Sequence, residues 1–152
     1  MELKVSVKGD KDIAEKVKRF FSIAPKHAQS AGREAMSEVL DSPGIRRYPT
    51  STDANSPPTP YYVRGVGMQY KSYNDGRSER YGSSWSISQR GYSTVADNSA
   101  SYSGYLTDEK DQASHMARIG WRKFVDVGNE KIDKIKQIFN AWMKKAQRDA
   151  GL

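Results

Sequence analysis

The stretch WRKFVDVGNEKIDKIKQIFNAWMKKAQRDA, residues 121–150, carries the clearest pattern in the chain. Trp121, Phe124, Val125, Gly128, Ile132, Ile135, Phe139, Trp142 and Ala146 recur at spacings of three and four, the period of one helix face. Asp133, Lys134, Gln137 and Arg148 fall on the opposite, solvated side. The spacing predicts a helix from about 123 to 149. Gly128, which costs on the order of 1 kcal/mol against Ala inside a helix, marks the place where it would break.

Upstream the period changes. In SSWSISQR, Trp85 and Ile87 share one side, and in YSTVADN so do Tyr92, Thr94 and Ala96. Both segments alternate as strands do, and Gln89-Arg90-Gly91 between them reads as a hairpin turn. Residues Ser99 to Leu106 read as a further extended piece. At the N-terminus Leu3, Val5 and Val7 alternate with Lys4, Ser6 and Lys8, and Gly9-Asp10 ends that strand. Asp10 or Asp12 then caps a helix carrying Ile13, Val17, Phe20, Phe21 and Ala24. Pro25, at home in the first position of a helix, starts a second one from about 25 to 41. Ala28, Ala31, Ala35, Met36, Val39 and Leu40 form its apolar side, until Pro43-Gly44 stops it.

Between these elements lies DSPGIRRYPTSTDANSPPTPYYVRG, residues 41–65. Pro49, Pro57, Pro58 and Pro60 remove four backbone donors and exclude helix and interior strand. Tyr61, Val63 and Val66 alternate loosely, and Asn74-Asp75-Gly76 is a turn signal. Loops of this length are uncommon in compact domains and are usually functional. The expected fold is α+β, one domain over residues 1–152. A small antiparallel sheet is flanked by N-terminal helices and a long C-terminal amphipathic helix, and residues 42–80 form a largely irregular, Pro-rich arm.

A chain of 152 residues is long enough for a sizeable core, although its hydrophobic fraction is only 36 %. There is no Cys, so disulfides and thiolate metal sites are excluded. No signal-peptide core and no apolar run of membrane-spanning length is present, and the expectation is a soluble protein that stays in the cell that makes it. The net charge of +7 is spread thinly: Lys and Arg outnumber Asp and Glu by ten to eight over 1–60, five to three over 61–105, and ten to seven over 106–152. A dedicated nucleic-acid face concentrates its cations, and this chain does not.

Groups for catalysis are sparse. His27 sits beside the apolar side of an Ala-rich helix and reads as a surface residue. Asp111 and His115 have the i, i+4 spacing of a metal pair but no third ligand. No serine lies in a Gly-x-Ser-x-Gly elbow or a Ser-x-x-Lys pair. Gly65-Val66-Gly67 lacks the third glycine and the helix of a dinucleotide loop. Tyr61-Tyr62-Val63-Arg64 and Tyr70-Lys71-Ser72-Tyr73 mix aromatics with cations as single-strand binders do, and equally as strands with exposed tyrosines do. No catalytic residue, cofactor or metal is expected.

Three segments taken in order, RYPTSTDANSPPTPYYVRGVG (47–67), SERYGSSWSI (78–87) and VADNSASYSGYLTDEKDQASHMARIGWRKF (95–124), precede the terminal helix. In this arrangement the chain resembles the minor tail components of long-tailed bacteriophages, the neck or tail-completion proteins that act where tail joins head. The features that match are Gly82-Ser83-Ser84-Trp85, then Ala96-Asp97-Asn98, then Tyr102 with Tyr105. The chain departs from that family after the tyrosines, where Leu106-Thr107-Asp108-Glu109 and Gly120-Trp121 replace a Glu-aromatic-Gly-Thr element and a Pro-aromatic anchor. The resemblance implies a non-catalytic virion protein, made in the host bacterial cytoplasm. Copies would form a hexameric or dodecameric ring around the DNA exit channel, between the portal-side connector and the tail-tube or tail-terminator protein. Passing contact with double-stranded DNA follows from that position, and membrane contact does not. In such a ring the Pro-rich arm suits contact with neighbouring subunits, because proline lowers the entropy lost on docking. Tyr48, Pro57, Pro58, Tyr61, Tyr62, Arg64, Tyr102 and Tyr105 are the candidate interface residues, since interface cores favour aromatics and Arg. A small basic nucleic-acid-binding protein is the alternative.

Overall fold

The computed structural model describes residues 9–47, 49 and 80–152. The expected strand at Leu3–Val7, the extended piece at 61–66 and the turn at Asn74-Asp75-Gly76 lie outside the described residues. Within them the architecture is α+β, a small antiparallel sheet set between a long N-terminal and a long C-terminal helix.

Helix α1 runs unbroken from Asp10 to Leu40 with Pro25 inside it. The expectation of two helices meeting at Pro25 is therefore corrected. An interior proline costs about 3 kcal/mol, and what offsets it is the tertiary packing of the helix face that follows the proline. Helix α6, Ile132–Ala150, lies along that face. Ala31 and Ala35 pack on Ile138, all three buried, with Ile135, Phe139 and Trp142 around them. Alanines on one helix and branched or aromatic side chains on the other let the two backbones approach closely.

Strands β1, Trp85–Arg90, and β2, Ser93–Asn98, pair antiparallel with Ile87 opposite Ala96 and Gln89 opposite Thr94. The hairpin is as expected, except that its two-residue turn is Gly91-Tyr92, one step later; Gly91 has φ +62°, the left-handed conformation such turns require. The hairpin lies along α1, and its tip reaches no further than Gln29. There Gln29 Nε2 donates to Gly91 O at 3.3 Å, and Gln89 Nε2 donates to Gln29 O at 3.0 Å. Close approach is possible because residue 32 is glycine. A Cβ there would meet Thr94 Oγ1 at 2.1 Å and Thr94 Cβ at 3.2 Å.

Two further expectations are corrected. Residues Ser103–Thr107 form a short helix, α3, where an extended piece was expected. Asn98 Oδ1 accepts the Ala100 N–H and Ser103 N donates to Ala100 O, so the strand is turned off before it can continue. The C-terminal helix is two helices. Helix α5 spans Phe124–Glu130, and the break falls at Lys131, not at Gly128. Lys131 Nζ at that break reaches across to Glu38 Oε1 of α1 at 2.7 Å. The split changes the buried set, so that Val127 and Ile138 are core while Val125 and Ile132 are exposed.

The start of the Pro-rich segment is also part of the core. Ile45 is fully buried against Val39, Leu40 and Val127. Gly44, at φ +77°, accepts the Arg122 N–H at 2.9 Å and sits so near Gly120 that a Cβ would lie 2.4 Å from its carbonyl oxygen. Residues 42–47 are thus pinned to the 120–122 segment before the chain departs.

Two substitutions test this packing. Gly→Ala inside a helix ordinarily stabilises by about 1 kcal/mol, but Gly32→Ala is expected to cost roughly 1–3 kcal/mol through overpacking against Thr94. Urea unfolding of Gly32→Ala, Thr94→Ala and the double variant should show the double variant well above the sum of the singles. Pro25→Ala is expected to raise stability by about 1–3 kcal/mol; a loss would mean that the proline conformation is required.

Candidate functional site

Three short features singled out in the sequence, Gly82–Trp85, Ala96–Asn98 and Tyr102 with Tyr105, lie at one place, while of the segment 47–67 only Arg47 and Pro49 are among the described residues. Helix α2 is a single turn, Arg80–Ser83, entering β1. Its Gly82 passes so close to the docked turn that a Cβ would lie 2.9 Å from Arg46 O, which accounts for a small residue there. Tyr81 points into the core, 2 % exposed, among Ala100, Leu106, Ile119 and Trp121. Its ring meets Trp121 and Trp85 edge-on at 5.2 and 5.8 Å, and Tyr102 at 6.3 Å. Geometry of this kind adds to simple area burial.

Polar ties close the knot. Tyr81 Oη and Thr107 Oγ1 share a buried hydrogen bond of 2.7 Å. Asn98 Nδ2 donates to Tyr81 O, while its Oδ1 takes the Ala100 N–H. Gln112 Nε2 donates both to Leu106 O and to Trp121 O, joining α3 to the segment after α4. Helix α4, Ser114–Arg118, ends in a Schellman arrangement: Gly120 at φ +101° donates to Ala117 O, and Trp121 N donates to Met116 O. That cap swings Trp121 inward. Burial pushes the Tyr81 phenol up to about 12. Asp108 is held below the usual carboxylate range because its Oδ1 accepts the backbone N–H groups of Lys110 and Asp111.

Beside the knot is an open cleft of about 310 Å³. Trp85, Phe124 and Val125 supply its apolar walls, with the Trp85 and Phe124 rings stacked at 5.8 Å. Asp97, Asp108 and Glu109 rim it, and no Lys or Arg is among its lining residues. A space of this size accepts one or two large side chains.

Of the candidate interface residues, Tyr102 and Tyr105 stand at the edge of the knot, 38 % and 62 % exposed. Tyr48, Pro57, Pro58, Tyr61, Tyr62 and Arg64 lie outside the described residues. His27 is not a plain surface residue. Its side chain is 13 % exposed in the α1–α6 seam, with Nε2 3.3 Å from Asp149 Oδ2 and its ring beside Trp142. His115 lies on α4, and among the described residues no group of three or more His, Asp or Glu is placed to hold a metal ion. Among them, too, no helix is long and apolar enough to cross a membrane. Sequence reading missed Tyr81, Thr107 and Gln112, single buried contacts on short elements that leave no periodic trace. No protein-family model matches the chain, and neither a curated protein nor a solved structure matches it.

Tyr81→Phe is expected to cost about 1–3 kcal/mol by leaving the buried Thr107 hydroxyl unpaired. The folded-state phenol titrates near 12 and an unfolded one near 10. The contribution of the neutral phenol is therefore complete below pH 10 and is lost as pH rises to 12, at about 1.4 kcal/mol per pH unit. The stability gap between wild type and Tyr81→Phe should narrow across that window. A gap independent of pH would show that Tyr81 titrates normally.

Proposed function

We propose that this chain is a structural virion protein of a long-tailed bacteriophage. It acts without catalysis at the head–tail junction, as a neck or tail-completion subunit that assembles into a ring joining tail to capsid around the DNA channel. What supports the reading is that three of its matching features meet in one knot. Gly82–Trp85, Ala96–Asn98 and Tyr102–Tyr105 follow one another through the hairpin and its exit. In the knot Trp85 pairs across the hairpin with Asn98, and Asn98 bridges Tyr81 and Ala100. Tyr81, Gly82, Trp85 and Asn98 have architectural tasks, and the two tyrosines at 102 and 105 stand at the rim, where a neighbouring subunit would meet them. The partners in this reading are other copies of the chain, the portal-side connector and the tail-tube or terminator protein.

Native mass spectrometry or sedimentation of the full chain near physiological salt tests the proposal. A closed species of six or twelve times the 17.1 kDa subunit mass is expected. A monomer that binds duplex DNA with an affinity falling by about 10³-fold between 50 and 200 mM salt would replace it with a nucleic-acid-binding role.

A further inference from the structure

We propose that the N-terminal half of α1, exposed among the described residues, docks into the Trp85–Phe124 cleft of the next copy of the chain, and that this is the head-to-tail contact of the ring. The inference rests on the ring reading above and names the surfaces that would build it.

The starting observation is an incomplete burial. Ile13, Val17, Phe21, Ala24, Ala28, Ala31, Ala35 and Val39 lie at spacings of three and four and form one stripe along α1. From Ala31 to Val39 that stripe is core. The hairpin tip stops at Gln29, so nothing in the sheet reaches the first half. There Ile13 is 59 % exposed, Val17 36 % and Phe21 70 %. Phe20 braces Phe21 edge-on at 5.7 Å, so the exposed ring is held as a knob. Leu152, 53 % exposed, follows Gly151, which lies beside the Lys16 side chain at the same end of α1. Given 150–250 Å² for a whole aromatic side chain, the patch amounts to roughly 300–400 Å², a size that is often functional on a monomer.

The cleft complements it in shape and in charge. It offers aromatic walls and room for a large side chain, and Asp97, Asp108 and Glu109 rim it, outnumbering Lys110 and Lys123, which act on Asp108 from outside the lining. The stripe is flanked by Lys11 and Lys18, seven residues apart on one side of the helix, and residues 10–26 carry five cations against three anions. The two surfaces also sit at opposite ends of the molecule. The cleft residues Trp85 and Phe124 pack on Val39 and Leu40 at the C-terminal end of α1, while the knob is near its N-terminal end. Unlike surfaces at opposite ends give a heterologous, head-to-tail contact, which repeats until a ring closes. A single contact of this area gives a weak pair that forms only at high concentration. In a closed ring every subunit holds two, which makes the assembly stable at lower concentration.

The test uses two full-length variants, each damaging one half of the contact. Phe21→Asp removes the knob. Gly104→Phe fills the cleft from a lining position where an added Cβ meets nothing closer than 3.7 Å. Each alone is expected to weaken self-association by at least about thirtyfold, with circular dichroism and melting temperature unchanged. Mixed one to one at high concentration, they should form a weak dimer that grows no further, because each retains the half the other lacks. If both variants still assemble as wild type does, this contact is overturned and the ring reading stands. A wild-type chain that stays monomeric overturns both. A Phe21→Asp chain that assembles normally but melts like a core deletion would show that its own chain covers the patch, which also overturns the contact.

Discussion

Everything in this fold is registered on the seam between α1 and α6. The small residues of α1, Ala31 and Ala35 above all, let Ile138 and its neighbours settle at short range. A seam of this kind gains its stability from many dispersion contacts at high density, so its tolerance to added volume is low. The polar edge follows the same line. Trp142 Nε1 donates to Glu34 at 2.7 Å, His27 faces Asp149, and Lys131 reaches Glu38 where α5 gives way to α6. These edge pairs are half-exposed and worth little individually. They fix the rotation of one helix against the other, and the alanine face supplies the energy.

Once that seam is set, the hairpin has one place to go. It occupies the flank of α1 where Gly32 clears a path for Thr94, and its far end carries Trp85 and Asn98 to the C-terminal end of the helix. The knot around Tyr81 then ties together the hairpin exit, α3 and the segment after α4, which share no regular hydrogen-bond ladder with one another. Two buried side-chain bonds and an Asn bridge do that work, so each one lost leaves a buried partner unpaired.

The legible parts of this architecture were those with a period. Alternation gave both strands, and three–four spacing gave the helical C-terminal third, though not its break at Lys131. The misreading at Pro25 had a remedy in the same letters. Val17, Phe21, Ala24, Ala28 and Ala31 keep one phase across the proline, whereas a second helix beginning there would have no reason to continue the stripe of the first. Proline's local cost belongs to one residue, and the continuous helix is favoured by the packing of α1 on α6, not by burial of this stripe before the proline, where Val17 and Phe21 are exposed. Ile45 and Tyr81 were illegible for a different reason. Each is an isolated apolar residue among Gly, Ser and Arg, and its burial follows from where Gly44 and Gly82 bring the backbone against another segment. Only the three-dimensional approach makes those positions interior. The tyrosines at the rim were found through the likeness of their segments, and Phe21 was passed over as an interface residue because its spacing reads as core.

That last point bears on how a short sheet and a long helix come to coexist. A 31-residue helix is about 46 Å long, whereas six-residue strands span roughly 20 Å. A two-stranded hairpin laid along such a helix leaves about half of it uncovered on that side. The exposed stripe is thus a geometric consequence of pairing elements of unequal length, and a helix that kept to the hairpin's length would have no Phe21 to expose. Selection for stability alone gives no reason to place Ile, Val and Phe on the overhang, where Lys, Glu or Gln would hold the helix equally well. Among the described residues nothing covers these apolar side chains. The proposed contact would give them a partner surface in the aromatic-walled cleft at the other end of the same helix.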